Sequence, residues 1–281
     1  MDTTERAASF NRVVREYEER RPGYPDAFVD LVLERTGLVP GAEVLEIGCG
    51  PGVATASLLE RGLVVRAVEP GPDLAARAAE RFAGQPFRVD VTGFEEWDRA
   101  ERTFDAVLAA TSFHWVDAHV RWRRAAEALR AGGPIVLMAN KVLAASSYAE
   151  FVTHSESLMR GAGMTDLGSA LVDEPRALAD LREPTEDVAE LWGRLDQTQP
   201  VVSATEFFEV PRVIVQSWTQ SYSGEEMVAL LSTYSRYITL GDDSRRRLMD
   251  QLRDVISDVF DSRIERRYLS VAVIAARRGG Y

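Results

Sequence analysis

Cysteine and histidine are scarce in this sequence, which has a single cysteine, Cys49, and 3 histidines among 281 residues. One cysteine cannot form an intrachain disulfide or build a cysteine–histidine metal cluster, so no bound metal is expected. The chain also lacks an apolar run of about 18 residues, which predicts no membrane span. Residues 1–6 lack the charged-then-apolar pattern of a secretory signal, so a cytoplasmic location is the expectation.

Positive charge is also in short supply. The sequence has 33 Lys and Arg residues against 44 Asp and Glu, which gives a formal net charge of −11. An acidic chain gains no counterion-release attraction from nucleic acid, so a nucleic-acid substrate is disfavoured. The length, with 46% apolar residues, suits one α/β domain with an insertion. We expect this domain to act as a monomer or homodimer.

Glycine, by contrast, is concentrated where an apolar strand pattern ends. Three glycines follow that strand at alternate positions: Gly48, Gly50 and Gly52. Glycine tolerates positive φ and has no Cβ, so backbone can approach a ligand closely at such a turn. A helical pattern over residues 53–60 comes next, and a second apolar run over residues 63–68 ends in Glu69. This order of elements is typical of a site for an adenine nucleoside or a dinucleotide.

The details of the turn distinguish between these ligands. A dinucleotide fingerprint requires a third glycine where this chain has Val53, and Glu46 stands two residues before the first glycine. With Glu46 and Glu69, the turn resembles the first motif of the class I S-adenosylmethionine-dependent methyltransferases. An acid at the strand end suits a cofactor that carries a sulfonium and an ammonium instead of a pyrophosphate. The resemblance implies S-adenosyl-L-methionine as cofactor and methyl transfer as the activity.

Strand and helix patterns alternate along the first half, which predicts an α/β fold with a doubly wound, mostly parallel sheet. The resemblance implies the seven-stranded, Rossmann-like methyltransferase sheet that ends in a reversed hairpin. Residues 146–200 are mostly helical in pattern, with no obvious strand, and strand patterns return at 206–219 and 268–276. We therefore predict a methyltransferase core formed by residues 1–140 and 201–281, with a helical cap at 141–200.

The resemblance also assigns cofactor roles to residues at the ends of four strands. The glycine turn, including Cys49, would pass under the methionine part, and Glu69, followed by Pro70, would accept both ribose hydroxyls. Glu46 would reach the amino group or stabilise the turn. Gly93 stands where the family usually has an acid, so the adenine contact would fall to the backbone and ring of Phe94. The fourth strand ends in two further candidates, Ala110 and Thr111.

The segment Phe113-His114-Trp115, with Arg21-Pro22-Gly23-Tyr24-Pro25, narrows the resemblance to a small-molecule subgroup that includes trans-aconitate methyltransferase-like enzymes. A small-molecule substrate is the expectation. His114 is the candidate catalytic base, or else bonds a backbone carbonyl while Trp115 packs the loop. Lid or substrate roles fall to Trp115 and to three residues that could equally anchor the first helix: Tyr17, Arg21 and Tyr24.

Two other functions are compatible with parts of the pattern. A non-catalytic S-adenosylmethionine-binding regulatory protein could share the same fold, because fold does not fix function. A nicotinamide-dependent oxidoreductase would also use a glycine turn, although Val53 argues against it. The intact turn and Glu69 favour the methyltransferase.

Overall fold

A computed structural model of the protein describes residues 21–165, 171–196 and 200–279. Tyr17, one of the predicted lid residues, lies outside these ranges. No helix in the described ranges is both long and apolar enough to cross a bilayer.

The first half alternates helices and parallel strands. Its elements in chain order are α1 Asp26–Thr36, β1 Glu43–Ile47, α2 Val53–Glu60, β2 Val64–Val68, α3 Pro72–Arg81, β3 Phe87–Asp90, β4 Ala106–Ala110, a 3₁₀ turn Phe113–Trp115, α4 Arg121–Ala128 and β5 Pro134–Leu143. Local signals set several of these ends. Helix α1 begins after Pro25 and stops at Gly37, whose φ of 70° lets its N–H reach the carbonyls of the last turn.

The second half is richer in helices. Its elements are α5 Ser147–His154, α6 Glu156–Gly161, β6 Leu171–Val172, α7 Glu174–Arg182, α8 Val188–Asp196, β7 Arg212–Ser223, α9 Gly224–Ser232, α10 Ser235–Ile238, α11 Asp242–Val259 and β8 Arg263–Ala276. A capping box begins α9, where the Ser223 hydroxyl accepts the Glu226 N–H and the Glu226 carboxylate accepts the Ser223 N–H.

The strands form one sheet in the order β3-β2-β1-β4-β5-β8-β7. The pairs among β1 to β5 are parallel, whereas β8 lies antiparallel between β5 and β7. This confirms the predicted α/β, mostly parallel sheet with its reversed hairpin. The prediction that residues 146–200 hold no strand was wrong, because the two-residue β6 pairs with the end of β5 as an eighth strand.

Both faces of the sheet are buried, as a parallel sheet covered by helices requires. Successive residues point to opposite faces, so Val44 packs in the cluster of α1 and α2. Its neighbour Leu45 packs in the cluster of Trp122 and Trp192 on α4 and α8. The central strands therefore read as continuous apolar runs, which is why their positions could be predicted from sequence.

The hairpin of β7 and β8 extends past the rest of the sheet. Tyr268 pairs with Val142 near the end of β5, and residues 263–267 pair with β7 alone. A separate cluster packs around this overhang, and it joins α5 and α6 to α9 and α11. Helices α7 and α8 pack on the main sheet cluster instead. Residues 141–200 thus contribute to two clusters, and the core and cap boundaries at 140 and 200 stay a prediction.

Candidate functional site

The predicted site residues converge because the parallel strands end at one edge of the sheet. The Gly48 N–H donates to the Val68 carbonyl at 2.8 Å, and the Glu69 N–H donates to the Asp90 carbonyl at 3.0 Å. The Thr111 N–H donates to the Met138 carbonyl at 2.8 Å. These bonds align the loops after β1, β2, β3 and β4 along the carboxyl edge, where ligands of open α/β sheets bind.

The glycine turn combines two tightly packed positions with one open position. A Cβ on Gly48 would lie 2.7 Å from the Ser112 Cβ, and one on Gly52 would lie 2.2 Å from the Phe82 ring. Gly50, with φ of 55°, would meet nothing within 4 Å. The turn is therefore fixed against the protein on two sides, while the Gly50 side leaves room for a ligand to approach the backbone.

Glu69 holds this turn in place. Its Oε2 accepts the Gly50 N–H at 2.9 Å, and its Oε1 accepts the Gly71 N–H at 2.9 Å. The side chain is buried, at 5% exposure. Burial raises the pKa of the Glu69 carboxyl, and the two backbone donors oppose that rise. Each carboxylate oxygen keeps a second lone pair, so both can still accept a hydroxyl donor.

Glu46 lies one layer deeper, at 1% exposure. Its Oε2 accepts the Thr55 hydroxyl at 2.6 Å, which links the end of β1 to the first turn of α2. Burial raises the pKa of Glu46 to about 7, although the Thr55 hydrogen bond lowers it, and the nearby Glu69 adds to the rise. This contact matches the turn-stabilising alternative for Glu46, and a contact with the amino group of the cofactor stays a prediction.

The remaining predicted cofactor residues differ in accessibility. Cys49 is buried, its thiol lies 3.4 Å from the Gly50 carbonyl, and burial raises its pKa. Pro70 is exposed and Gly93 is half-buried. Phe94 is buried and stacks on Trp97, with 6.4 Å between ring centroids. Its ring belongs to the core, and an adenine contact by its ring or backbone stays a prediction.

The end of β4 carries a strained residue. Thr111 has φ of 58°, in the left-handed region that β-branched residues avoid. Ser112 holds this conformation, because its hydroxyl donates to the Ile47 carbonyl and its Cβ packs over Gly48. Ala110 is half-buried and Thr111 is exposed, so both lie beside the glycine turn. Sequence reasoning missed Ser112, whose role depends on a neighbouring strand.

His114 and Trp115 form the 3₁₀ turn that follows. Both are half-buried, and their ring centroids lie 4.7 Å apart. The turn is held by the Trp115 N–H, which donates to the Ser112 carbonyl at 3.0 Å. This brings His114 to the same sheet edge as the glycine turn, and its role as a base stays a prediction.

The segment before α1 reaches the same edge. The Tyr24 hydroxyl lies 3.3 Å from the Thr111 Oγ1, and the Asn140 amide donates to the Gly23 carbonyl at 2.9 Å. Arg21 instead binds the end of α9, where its Nε and Nη2 donate to the Thr233 Oγ1 and carbonyl, both at 3.1 Å. Tyr24 is therefore near the predicted site, whereas Arg21 is anchored to the second half of the chain.

These features define a class of protein: a Rossmann-like α/β domain with a buried acid after β2 that holds a glycine turn after β1. A family model described as a methyltransferase domain matches residues 44–133. A structure assigned as a type II methyltransferase from Anaeromyxobacter dehalogenans has a TM-score of 0.55 at 19% identity. It covers 92% of this chain and 97% of that one, and this likeness shows the fold.

Two curated relatives from Mycobacterium tuberculosis are similar in sequence. One, an uncharacterized methyltransferase, is 38% identical over 135 residues, 47% of this chain and 52% of the relative. The other, a trans-aconitate 2-methyltransferase, is 36% identical over 103 residues, 34% of this chain and 36% of that protein. The chain thus spans about half the length, or less, of these relatives. These comparisons support the predicted class I S-adenosylmethionine-dependent methyltransferase, and the family match itself covers residues 44–133.

Proposed function

We propose that this protein transfers a methyl group from S-adenosylmethionine to a small-molecule acceptor. The observation that carries the proposal is the Glu69–Gly50 contact, which holds a glycine turn whose open side faces away from the protein. The relative named as a trans-aconitate 2-methyltransferase supports a small-molecule acceptor. A cytoplasmic location and a monomer or homodimer are part of the same proposal.

The charges at the turn suit the cofactor. Glu46 and Glu69 are buried carboxyl groups, and neither forms an ion pair with another described residue. A buried carboxylate without a counter-charge is costly, so a ligand that brings positive charge there is favoured. S-adenosylmethionine supplies a methyl group activated by a positively charged sulfur. Glu69 would hold the ribose hydroxyls, and the backbone at Gly50 would lie along the methionine part.

The chain's own residues supply orientation and protection from water. Ser112 and the strained Thr111 fix the edge beside the turn, and Tyr24 covers it from the segment before α1. Aligning two reactants in this way is the main protein contribution to a displacement reaction. His114 would accept a proton only where the acceptor carries one at the reacting atom.

The test of this proposal compares alanine variants at two glycines that both have positive φ. Gly50 and Gly84 both have positive φ, and a Cβ at either would meet nothing within 4 Å. Each alanine variant should therefore lose a similar free energy of unfolding, about 1 to 2 kcal/mol. Gly50→Ala should also weaken S-adenosylhomocysteine binding about a hundredfold in calorimetry, because its methyl group fills the open side. Gly84→Ala should leave that dissociation constant unchanged.

The alternatives give different results in the same assay. Equal binding by both variants, or stabilisation of the wild-type chain by NADH but not by S-adenosylhomocysteine, would count against the proposal. Tight S-adenosylhomocysteine binding with no methylated product from any member of a metabolite panel would favour the non-catalytic regulatory protein.

A further inference from the structure

Three arginines surround one tyrosine near the overhanging hairpin. The guanidinium carbons of Arg21, Arg266 and Arg236 lie 4.1, 5.7 and 5.8 Å from the centroid of the Tyr234 ring. The Arg266 guanidinium also lies 4.2 Å from the centroid of the Tyr148 ring. These five residues are called the arginine–tyrosine cluster below.

Two arginines of the cluster, Arg266 and Arg236, lie without a carboxylate partner in the described part of the chain. Arg266 is 2% exposed, and its one hydrogen bond to a side chain runs from Nη1 to the Tyr234 hydroxyl at 3.1 Å. Within the described ranges, Arg266 and Arg236 form no ion pair. The Arg266 Nε, the Arg236 Nε and the Tyr148 hydroxyl are buried atoms without a hydrogen-bond partner in that part of the chain.

Such an arrangement is unfavourable until an anion enters it. A buried arginine normally pairs with a carboxylate, and several like charges around one ring repel each other. Burial alone would raise the pKa of the Tyr234 phenol, yet the neighbouring Arg266 and Arg21 lower it. This direction reports an excess of positive potential.

The cluster lies beside the methyl-transfer edge. Arg21 stacks on Tyr234, and three residues later Tyr24 reaches Thr111 at the end of β4. A stretch of three residues spans at most about 10 Å. Between these two contacts, Asn140 on β5 binds the Gly23 carbonyl. One short segment, whose Cα atoms span at most about 10 Å, therefore links the cluster to the edge where the glycine turn lies.

We propose that the arginine–tyrosine cluster binds an anionic oxygen group of the acceptor, a carboxylate or a phosphate, and so orients the acceptor's other end toward the glycine turn. Arginine forks and phenol hydroxyls suit both groups, because both present paired anionic oxygens. This inference rests on the proposed methyl transfer for the word acceptor, but the anion site itself can be tested without turnover.

The test is titration calorimetry with two probes, citrate and inorganic phosphate, on the protein with and without saturating S-adenosylhomocysteine. Arg236→Gln is the main variant, because Arg236 is half-buried and its loss spares the core. Arg246→Gln is the matched control, since this substitution removes the same charge from the exposed face of α11. We expect Arg236→Gln to weaken probe binding about tenfold, with the dissociation constant for S-adenosylhomocysteine unchanged.

The probe that binds more tightly identifies the anionic group, and either preference supports the site. Equal weakening in the two variants, or no binding of either probe to the wild-type protein, would overturn it. Failure of the wild-type protein to bind S-adenosylhomocysteine would count against the proposed function alone, since the probes are also titrated in its absence. If Arg236→Gln does not fold, Arg266→Met gives a second variant with the same expectation.

Discussion

The glycine-turn edge and the arginine–tyrosine cluster bury charges of opposite sign. At the first, Glu46 and Glu69 are held by a hydroxyl and two backbone N–H groups and have no described cationic partner. At the second, Arg266 is held by a phenol and has no described acidic partner. A folded chain could have paired these charges with each other. Keeping them apart stores unfavourable electrostatic energy that a cationic and an anionic ligand can relieve.

The largest expected effect is on the pH dependence of stability, and it arises from Glu46 at the glycine-turn edge. The pKa of Glu46 is about 7 in the folded state, against 4.5 for an exposed glutamate carboxyl. The folded state therefore binds more protons than the unfolded state between these pH values, and stability falls as pH rises through that window. Relative to Glu46→Gln, the wild-type free energy of unfolding should drop by about 3 kcal/mol between pH 4 and about pH 8. Denaturant unfolding at several pH values measures this difference, and a parallel pH dependence in both proteins would contradict it.

The second-largest expected effect is at the arginine–tyrosine cluster, where a substitution should raise the free energy of unfolding. Replacing Arg266 with methionine removes a buried charge and keeps much of the side-chain volume. In anion-free buffer we expect Arg266→Met to raise the free energy of unfolding by about 2 kcal/mol. Citrate at 50 times the wild-type dissociation constant should stabilise the wild-type protein by about 1 kcal/mol more than the variant. A large loss of stability in Arg266→Met would mean that the stacking of Arg266 on Tyr148 outweighs its charge.

The smallest effect concerns the anchor between the two regions. Arg21 donates to the Thr233 carbonyl just after the end of α9, where a cation is favourable. Arg21→Gln should lower the free energy of unfolding by about 1 kcal/mol. Arg35→Gln is the matched control, because Arg35 lies exposed in the last turn of α1 and should cost less than half as much. Chemical denaturation compares the two variants, and equal losses would show that Arg21 is not an anchor.

Sequence reasoning located the acidic edge and missed the basic cluster for a physical reason. The turn after β1 and the acid after β2 were predicted because apolar runs and spaced glycines are local signals. Glu69 and the glycine turn lie within one such unit. The cluster joins residues from four distant segments, and only tertiary packing brings Arg21, Arg236 and Arg266 together.

The bounds of the β7–β8 hairpin were also predicted incompletely from sequence. The last strand was predicted to start at residue 268, but β8 begins at Arg263, since the mostly charged residues 263–267 pair with β7 beyond the sheet. The preceding strand was predicted over 206–219, yet β7 runs from Arg212 to Ser223. Pattern reasoning places a strand by its apolar residues, so it misses an overhang whose residues are charged.

The four residues from Arg21 to Tyr24 connect the proposed anion site to the proposed site of the methyl donor. One end stacks on Tyr234, the other meets Thr111, and Asn140 fixes the middle. A shift of Arg21 toward an incoming anion would therefore be transmitted to the edge that receives the methyl donor. Thermodynamic reciprocity then requires each ligand to change the other's dissociation constant by the same factor, so that occupancy at one end reports on the other.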